Sequence, residues 1–419
     1  MTMTATYRHF VGSLVLWAFV ALAGCASVGP QLPIATDEDL AAPDASLAVR
    51  TLAPDGEFEL LPASTIVRRL QDRLSDRPIT ILALSGGGAS GAFGAGAVVG
   101  LTRHGSRPEF SVVTGVSAGA LIAPLAFLGA AWDPQIAAIY TDGVDRSLLQ
   151  PRLIGAVFGS SVYSATPLRR LIEHYADDAL IDAVGAQAAR GRLLLVATTD
   201  FATGDAVIWD LGSIALYGGA DRGPLFRDVL LASASVPGVF PPVAIKVRTR
   251  RGTREETHVD GGVTLPFFVA PSPQDLPRSA TPGAPSAIVR VIIDGRLRDL
   301  PHPARANALS IYRRSVSAGL THMTRTTLER TVAVARRHGV SLEYAAIPAS
   351  YPLPGALDFA QDGQRALFSY AAACAETGRL WTSIEQDPRE GVADGNDVTG
   401  GTTCPADDRF IARLAALGD

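Results

Sequence analysis

Ser117 sits at the centre of Gly115-Val116-Ser117-Ala118-Gly119, after the apolar run Val112-Val113-Thr114 and before Ala120-Leu121. Strand, tight turn and helix in that order put a serine hydroxyl on a sharp bend. There a base can take its proton and backbone N–H groups can meet a developing oxyanion. The flanking glycines let backbone approach backbone closely. The chemistry this segment could do is nucleophilic acyl transfer.

A second strand-to-helix junction lies about 30 residues upstream. The apolar run Ile79 to Leu84 leads into Ser85-Gly86-Gly87-Gly88-Ala89-Ser90-Gly91 and then the small-residue helix Ala92 to Val99. Three consecutive glycines at the start of a helix leave N–H groups bare at its positive end, which makes an anion cradle. The amides of Gly86, Gly87 and Gly88, with that of Ala118, are the expected oxyanion donors. The same run satisfies Gly-x-Gly-x-x-Gly. A dinucleotide site also needs an acid about 20 positions on, at the end of the second strand, and Glu109 stands at its beginning instead.

The serine needs a base. Among the histidines after it, His174, His258, His302, His322 and His338, none sits in a strand-end loop with an acid placed before it, the order of a Ser-Asp-His triad. His258-Val259-Asp260-Gly261-Gly262-Val263 offers an aspartate instead. Asp before two glycines also reads as a tight turn. An aspartate with an ordinary pKa of about 3.9 is a feeble base, so it would have to be desolvated and within hydrogen-bond reach of Ser117.

The glycine loop, the Gly-x-Ser-x-Gly, the segment Ala232-Ser233-Ala234-Ser235-Val236-Pro237-Gly238 and the Asp-Gly-Gly occur in that order within about 180 residues. The chain resembles the patatin-like phospholipase family over roughly Ile79 to Ala270. The resemblance implies a three-layer α/β/α fold and a dyad of Ser117 as nucleophile and Asp260 as base, cleaving fatty acyl esters. It implies Gly91, Gly115, Gly119, Gly261 and Gly262 as the structural glycines of the motifs. Where that family commonly carries arginine, this chain has Ser90, so a positive charge near an oxyanion or lipid head group is lost. Two other readings stand beside it: an esterase of the α/β-hydrolase type with a Ser-Asp-His triad, and a lipoprotein that binds lipid without cleaving it.

The positioning elements follow from the pattern. Strand-like runs at 79–84, 110–114, 193–198, 206–209, 243–247 and 288–293 alternate with helical or loop segments, which argues an α/β fold with a mostly parallel sheet covered on both faces. Ligands in such sheets bind at the carboxyl ends of strands, where both glycine motifs fall. The stretch 305–337 reads as a basic helix packing on the core, 357–381 as a second long helix and 408–417 as a short one.

Composition and ends bound the rest. The chain has 419 residues, 47% hydrophobic and 19% charged, ample for a large core. Net charge is −4 with no dense basic stripe, which argues against nucleic acid as a partner. Lys246 is the single lysine, so no Gly-Lys-Ser/Thr phosphate loop exists; His-Glu-x-x-His and Cys-x-x-Cys are likewise missing, so no metal is indicated. The proposed ester chemistry calls for no cofactor.

Arg8 and His9 precede the apolar stretch Phe10 to Ala23, which ends in Leu22-Ala23-Gly24-Cys25 and resembles a bacterial lipoprotein signal with Cys25 lipidated. Ala26 after the cysteine favours the outer membrane, facing the periplasm, with the membrane surface and lipid or phospholipid acyl esters as partners. Cys374 and Cys404 then remain, either bridged or as two thiols. The chain is expected to divide into a signal (1–25), a tether and short helix (26–77), the catalytic core (78–275), and a C-terminal strand and helices packed on it (276–419).

Overall fold

Runs such as Ile79–Leu84 and Leu193–Asp200 are apolar on both strand faces, and such strands bury themselves only between two layers of helices. The computed structural model describes residues 48–74, 78–142, 149–150, 161–276, 287–298, 307–353, 355–384 and 403–408. Its strands are β1 (Val49–Leu52), β2 (Phe58–Leu61), β3 (Ile79–Leu84), β4 (Val112–Val116), β5 (Leu193–Asp200), β6 (Ala206–Asp210), β7 (Val243–Thr249), β8 (Gly252–Asp260), β9 (Ala287–Ile293), β10 (Ser341–Ala346) and β11 (Thr382–Ser383). They form one sheet ordered β11-β10-β9-β3-β4-β5-β6-β1-β2, with β8 paired to β5 and β7 to β8. The centre, β10 through β5, is parallel; β6 and β8 run antiparallel to β5, β2 to β1, β7 to β8 and β11 to β10, while β1 runs parallel to β6.

Helices cover both faces. On one lie α1 (Ala63–Leu74) and α9 (Ala308–His338), which pack Ile66, Leu70, Leu328 and Val332 against Ile81, Ala83 and Val116. The other carries α2 (Gly91–His104), α3 (Ala118–Leu128), α4 (Asp133–Thr141), α5 (Thr166–Tyr175), α6 (Asp178–Ala189), α7 (Leu211–Tyr217), α8 (Arg222–Ser233) and α10 (Gln361–Glu376) over Leu82, Leu84, Val113 and Trp209. Alternate residues of β3 thus enter opposite cores, the period-two rule of a strand. The expected three-layer α/β/α architecture is the one observed.

Two strands of the sheet lie where a tether was expected. Residues 49–52 and 58–61 pair with each other, and β1 pairs with β6 through Val49↔Ile208 and Arg50↔Trp209. Four-residue strands flanked by Pro54, Asp55 and Gly56 are too short to show periodicity, and Arg50 and Thr51 are buried polar residues that mask the run. The part of the expected tether at 49–61 is therefore sheet. The signal, Cys25, the first part of the tether and residues 409–417 lie outside the described residues.

Cys374 of α10 and Cys404 form a disulfide. A loop closed over a sequence separation of 30 restricts the unfolded chain, a stabilisation of about 3–4 kcal/mol. Cys374→Ser is expected to lower the unfolding free energy by about that amount in denaturant titrations, with wild type matching it after reduction.

Candidate active site

The sheet brings Ser117 and Asp260 together by ending two strands against each other. β5 gives one edge to β6, pairing 195–199 with 210–206. Its other edge is shared: β4 pairs as far as Val116↔Ala197, and the next residue of β5, Thr198, pairs with Asp260 of β8. β4 and the antiparallel β8 therefore run out head to head on one edge, one residue before Ser117 and at Asp260 itself.

Ser117 then turns the chain. It has φ 53 and ψ −120, and among the described residues it is the one non-glycine with positive φ, a strained setting typical of functional sites. The strain is held by packing. A Cβ on Gly119 would come within 2.5 Å of the Leu84 carbonyl oxygen and 2.6 Å of that of Ser85, and the Gly119 N–H donates to Ser85 O at 3.2 Å. At the far end of α3, Arg107 donates to Ala126 O at 2.8 Å and Arg192 to Phe127 O at 2.5 Å, guanidinium caps on a helix C-terminus.

Ser117 Oγ donates to Asp260 Oδ2 at 2.6 Å, and both residues are buried. The second carboxylate oxygen accepts from Gly262 N at 2.7 Å, which fixes the carboxyl plane and gives the second glycine of Asp-Gly-Gly a role. Burial pushes the Asp260 carboxyl up to about 7, with the Ser117 hydroxyl and the Gly262 N–H pulling the other way. Ester turnover through this base is expected to fall about tenfold per pH unit below pH 7, a limb to be read from kcat/KM profiles.

The segment after α8 braces both partners. Ser233 Oγ accepts from Ser117 N at 3.0 Å and donates to Ala197 O at 2.7 Å, while the Ser235 carbonyl accepts from Asp260 N at 2.9 Å. The resemblance to the patatin-like family picked out Ala232 to Gly238. A serine that satisfies the nucleophile's own N–H was not foreseeable from it.

Of the four expected oxyanion donors, three remain available. The N–H groups of Gly87, Gly88 and Ala118 have no acceptor among the described residues, at the starts of two helical turns. Gly86 is corrected: its N–H donates to Pro266 O at 3.0 Å, which ties the loop to the segment after Asp-Gly-Gly. Its nearness to Ser117 is steric, since a Cβ there would lie 3.2 Å from Ser117 Cβ. Gly91, Gly115 and Gly261 are likewise close-contact positions, against Ala118, Ala120 and the Ala197 carbonyl. Ser90 is buried at the turn into α2.

His258 belongs to a different network. Its Nδ1 lies 3.0 Å from Thr198 Oγ1 and its Nε2 3.1 Å from Glu256 Oε2; Trp209 Nε1 donates to the same threonine at 2.8 Å. Burial first, and then Arg50, hold the imidazole below its ordinary value, so the neutral ring donates from Nε2 and accepts at Nδ1. Burial would raise the Glu256 carboxyl, but bonds from His258, Arg50 and Arg254 bring it down to about 2. Ser117 Oγ has Asp260 as its partner, not an imidazole. His258→Gln is expected to lower stability by about 1–3 kcal/mol in thermal melts while leaving fluorophosphonate labelling of Ser117 intact.

One buried acid escaped the sequence reading. Asp294 follows β9 and is 2% exposed; its N–H donates to Ser85 Oγ at 2.8 Å, and its Oδ1 accepts from Gly94 N at 2.7 Å. Asp294-Gly295 after an apolar strand reads as a turn, with no local sign that it stands against the glycine loop.

Residues 82–271 match the family model described as Patatin-like phospholipase, a span that holds both Ser117 and Asp260. The region is similar to that family, and the match supports lipid acyl hydrolysis with lipids as substrates. Among solved structures, the crystal structure of VipD from Legionella pneumophila is similar at 12% identity and a TM-score of 0.27, over 82% of this chain and 72% of that one. No curated protein matches the chain.

Proposed function

We propose that the chain is a serine acyl hydrolase that cleaves fatty acyl esters of lipids through the Ser117–Asp260 dyad and a covalent acyl-enzyme. The observation that carries the reading is the 2.6 Å bond from Ser117 Oγ to Asp260 Oδ2 on a turn with φ 53. Asp260 takes the hydroxyl proton as Oγ attacks the ester carbon, and the oxyanion faces the N–H groups of Gly87, Gly88 and Ala118. Collapse expels the alcohol, which receives the proton from Asp260. A water then loses its proton to Asp260 and attacks the acyl-enzyme, releasing the fatty acid and restoring Ser117.

Hydrolysis of nitrophenyl esters and labelling by a fluorophosphonate test the reading. Wild type should do both and Ser117→Ala neither; wild type inert at every detergent concentration would overturn it.

We further propose that Cys25 is lipidated and holds the enzyme in the cell envelope, at the outer membrane facing the periplasm. The apolar stretch Phe10 to Ala23 ending in Leu22-Ala23-Gly24-Cys25 supports this. Cys25→Ala should move the protein from the membrane fraction to the soluble one; unchanged fractionation would contradict the anchor.

A further inference from the structure

Asp294, whose carboxyl the dyad does not use, sets its backbone and Cβ against the oxyanion loop and its carboxyl against α2. A Cβ on Gly87 would come within 2.2 Å of the Asp294 carbonyl oxygen and 2.5 Å of its Cβ, so backbone lies on backbone there. The side chain reaches under the start of α2, where Gly94 sits so close that a Cβ would lie 2.8 Å from Oδ1. Oδ2 is buried and has no hydrogen-bond partner among the described residues.

An ionised carboxylate in that place would carry an unsatisfied charge. The N-terminus of α2 and the Gly94 N–H favour the anion, but one amide and a helix end replace little of the lost water. Burial dominates and raises the Asp294 carboxyl well above the usual carboxylate range. Among the described residues, Ser85 and Gly87 of the loop and Gly94 of α2 touch it, and Tyr140 of α4 lies close enough to feel its charge. Of these only Tyr140 titrates, and burial first and Asp294 second keep its hydroxyl protonated. No cation among the described residues compensates the anion.

We propose that Asp294 is a positioning residue for the oxyanion loop that must keep its proton: the neutral acid holds Gly94 and backs Gly87 without opposing the oxyanion, and the anion shuts the reaction down. The proposal rests on the reading of Gly87 and Gly88 as oxyanion donors. Raising the pH removes the proton from Asp294 to solvent and leaves a bare charge one backbone contact from Gly87. That charge repels the negative oxygen of the tetrahedral intermediate; the cost to the fold accrues at lower pH, between the ordinary carboxylate value and the raised one, where the unfolded chain has already released its proton.

The test is kcat and KM for a nitrophenyl ester across pH 6 to 10 with the full chain in detergent, on wild type, Asp294→Asn, Asp294→Ala and Ser117→Ala, with thermal melts alongside. Wild type should lose about tenfold or more in kcat on the alkaline side at near-constant KM. Asp294→Ala, without the grip on Gly94, should lower kcat at every pH and lack the alkaline limb. Asp294→Asn should rescue the neutral-pH rate and also lack that limb. A flat alkaline side in wild type, or the wild-type limb persisting in whichever Asp294 variant folds, overturns the proposal alone. Turnover surviving in Ser117→Ala overturns the hydrolase reading and the proposal with it.

Discussion

Asp260→Asn is expected to end turnover and, at the same time, to make the protein more stable at neutral and alkaline pH. The first half follows from removing the carboxylate to which Ser117 Oγ donates, a loss on the order of 10⁴-fold or more in kcat. The second follows from the raised carboxyl. Between its ordinary value of 3.8 and about 7, the folded state holds a proton that the unfolded chain has released, so raising the pH costs the folded state. Above pH 7 the full penalty is present, on the order of 4 kcal/mol for a shift from 3.8 to about 7 in a fully buried group. Asparagine does not ionise and escapes it. Denaturant titrations at pH 4 and pH 8 should therefore show the variant's advantage growing by up to about 4 kcal/mol between them. An advantage independent of pH would mean that Asp260 is not the desolvated base described here.

Gly119→Ala should damage both stability and turnover, because it overpacks the turn that carries Ser117. The added methyl would fall 2.5 Å from Leu84 O and 2.6 Å from Ser85 O, backbone atoms at and just beyond the end of β3 that cannot swing aside. Either α3 moves out or the turn at Ser117 opens. Overpacking of this kind costs about 1–3 kcal/mol, and a shift of about 1 Å at the nucleophile about 10² in rate. Gly319→Ala in α9, where the methyl meets nothing within 4 Å, should instead stabilise by about 0.5–1 kcal/mol with unchanged turnover. Equal behaviour of the two variants would contradict the packing account of the turn.

The core of this site was legible because its residues are constrained locally. Ser117 must be flanked by glycines for the turn to close, the Gly86 to Gly88 run must be free of side chains, and Asp260 must precede glycines to receive the Gly262 N–H. Those constraints act within a few residues and leave a written trace. What the sequence did not reveal depends on pairing across the sheet. The head-to-head ending of β4 and β8 on β5 is a matter of register, and Ser233 reaches Ser117 from 116 positions away. Gly86 shows the limit from the other side: its place in the loop was right, but whether its N–H was free turned on Pro266, 180 residues on. The strands β1 and β2 were missed for a related reason, since buried Arg50 is balanced by Glu256 at 2.5 Å, a partner that no local pattern announces.

The central claim is that Ser117 attacks an acyl ester with Asp260 as its base. Intact-protein and peptide mass spectrometry after rapid acid quench with a nitrophenyl acyl ester tests it most directly. The account predicts a single acyl adduct on the peptide carrying Ser117, present in wild type and missing in Ser117→Ala and Asp260→Asn. An adduct on another residue, or one that forms undiminished in Asp260→Asn, would contradict it.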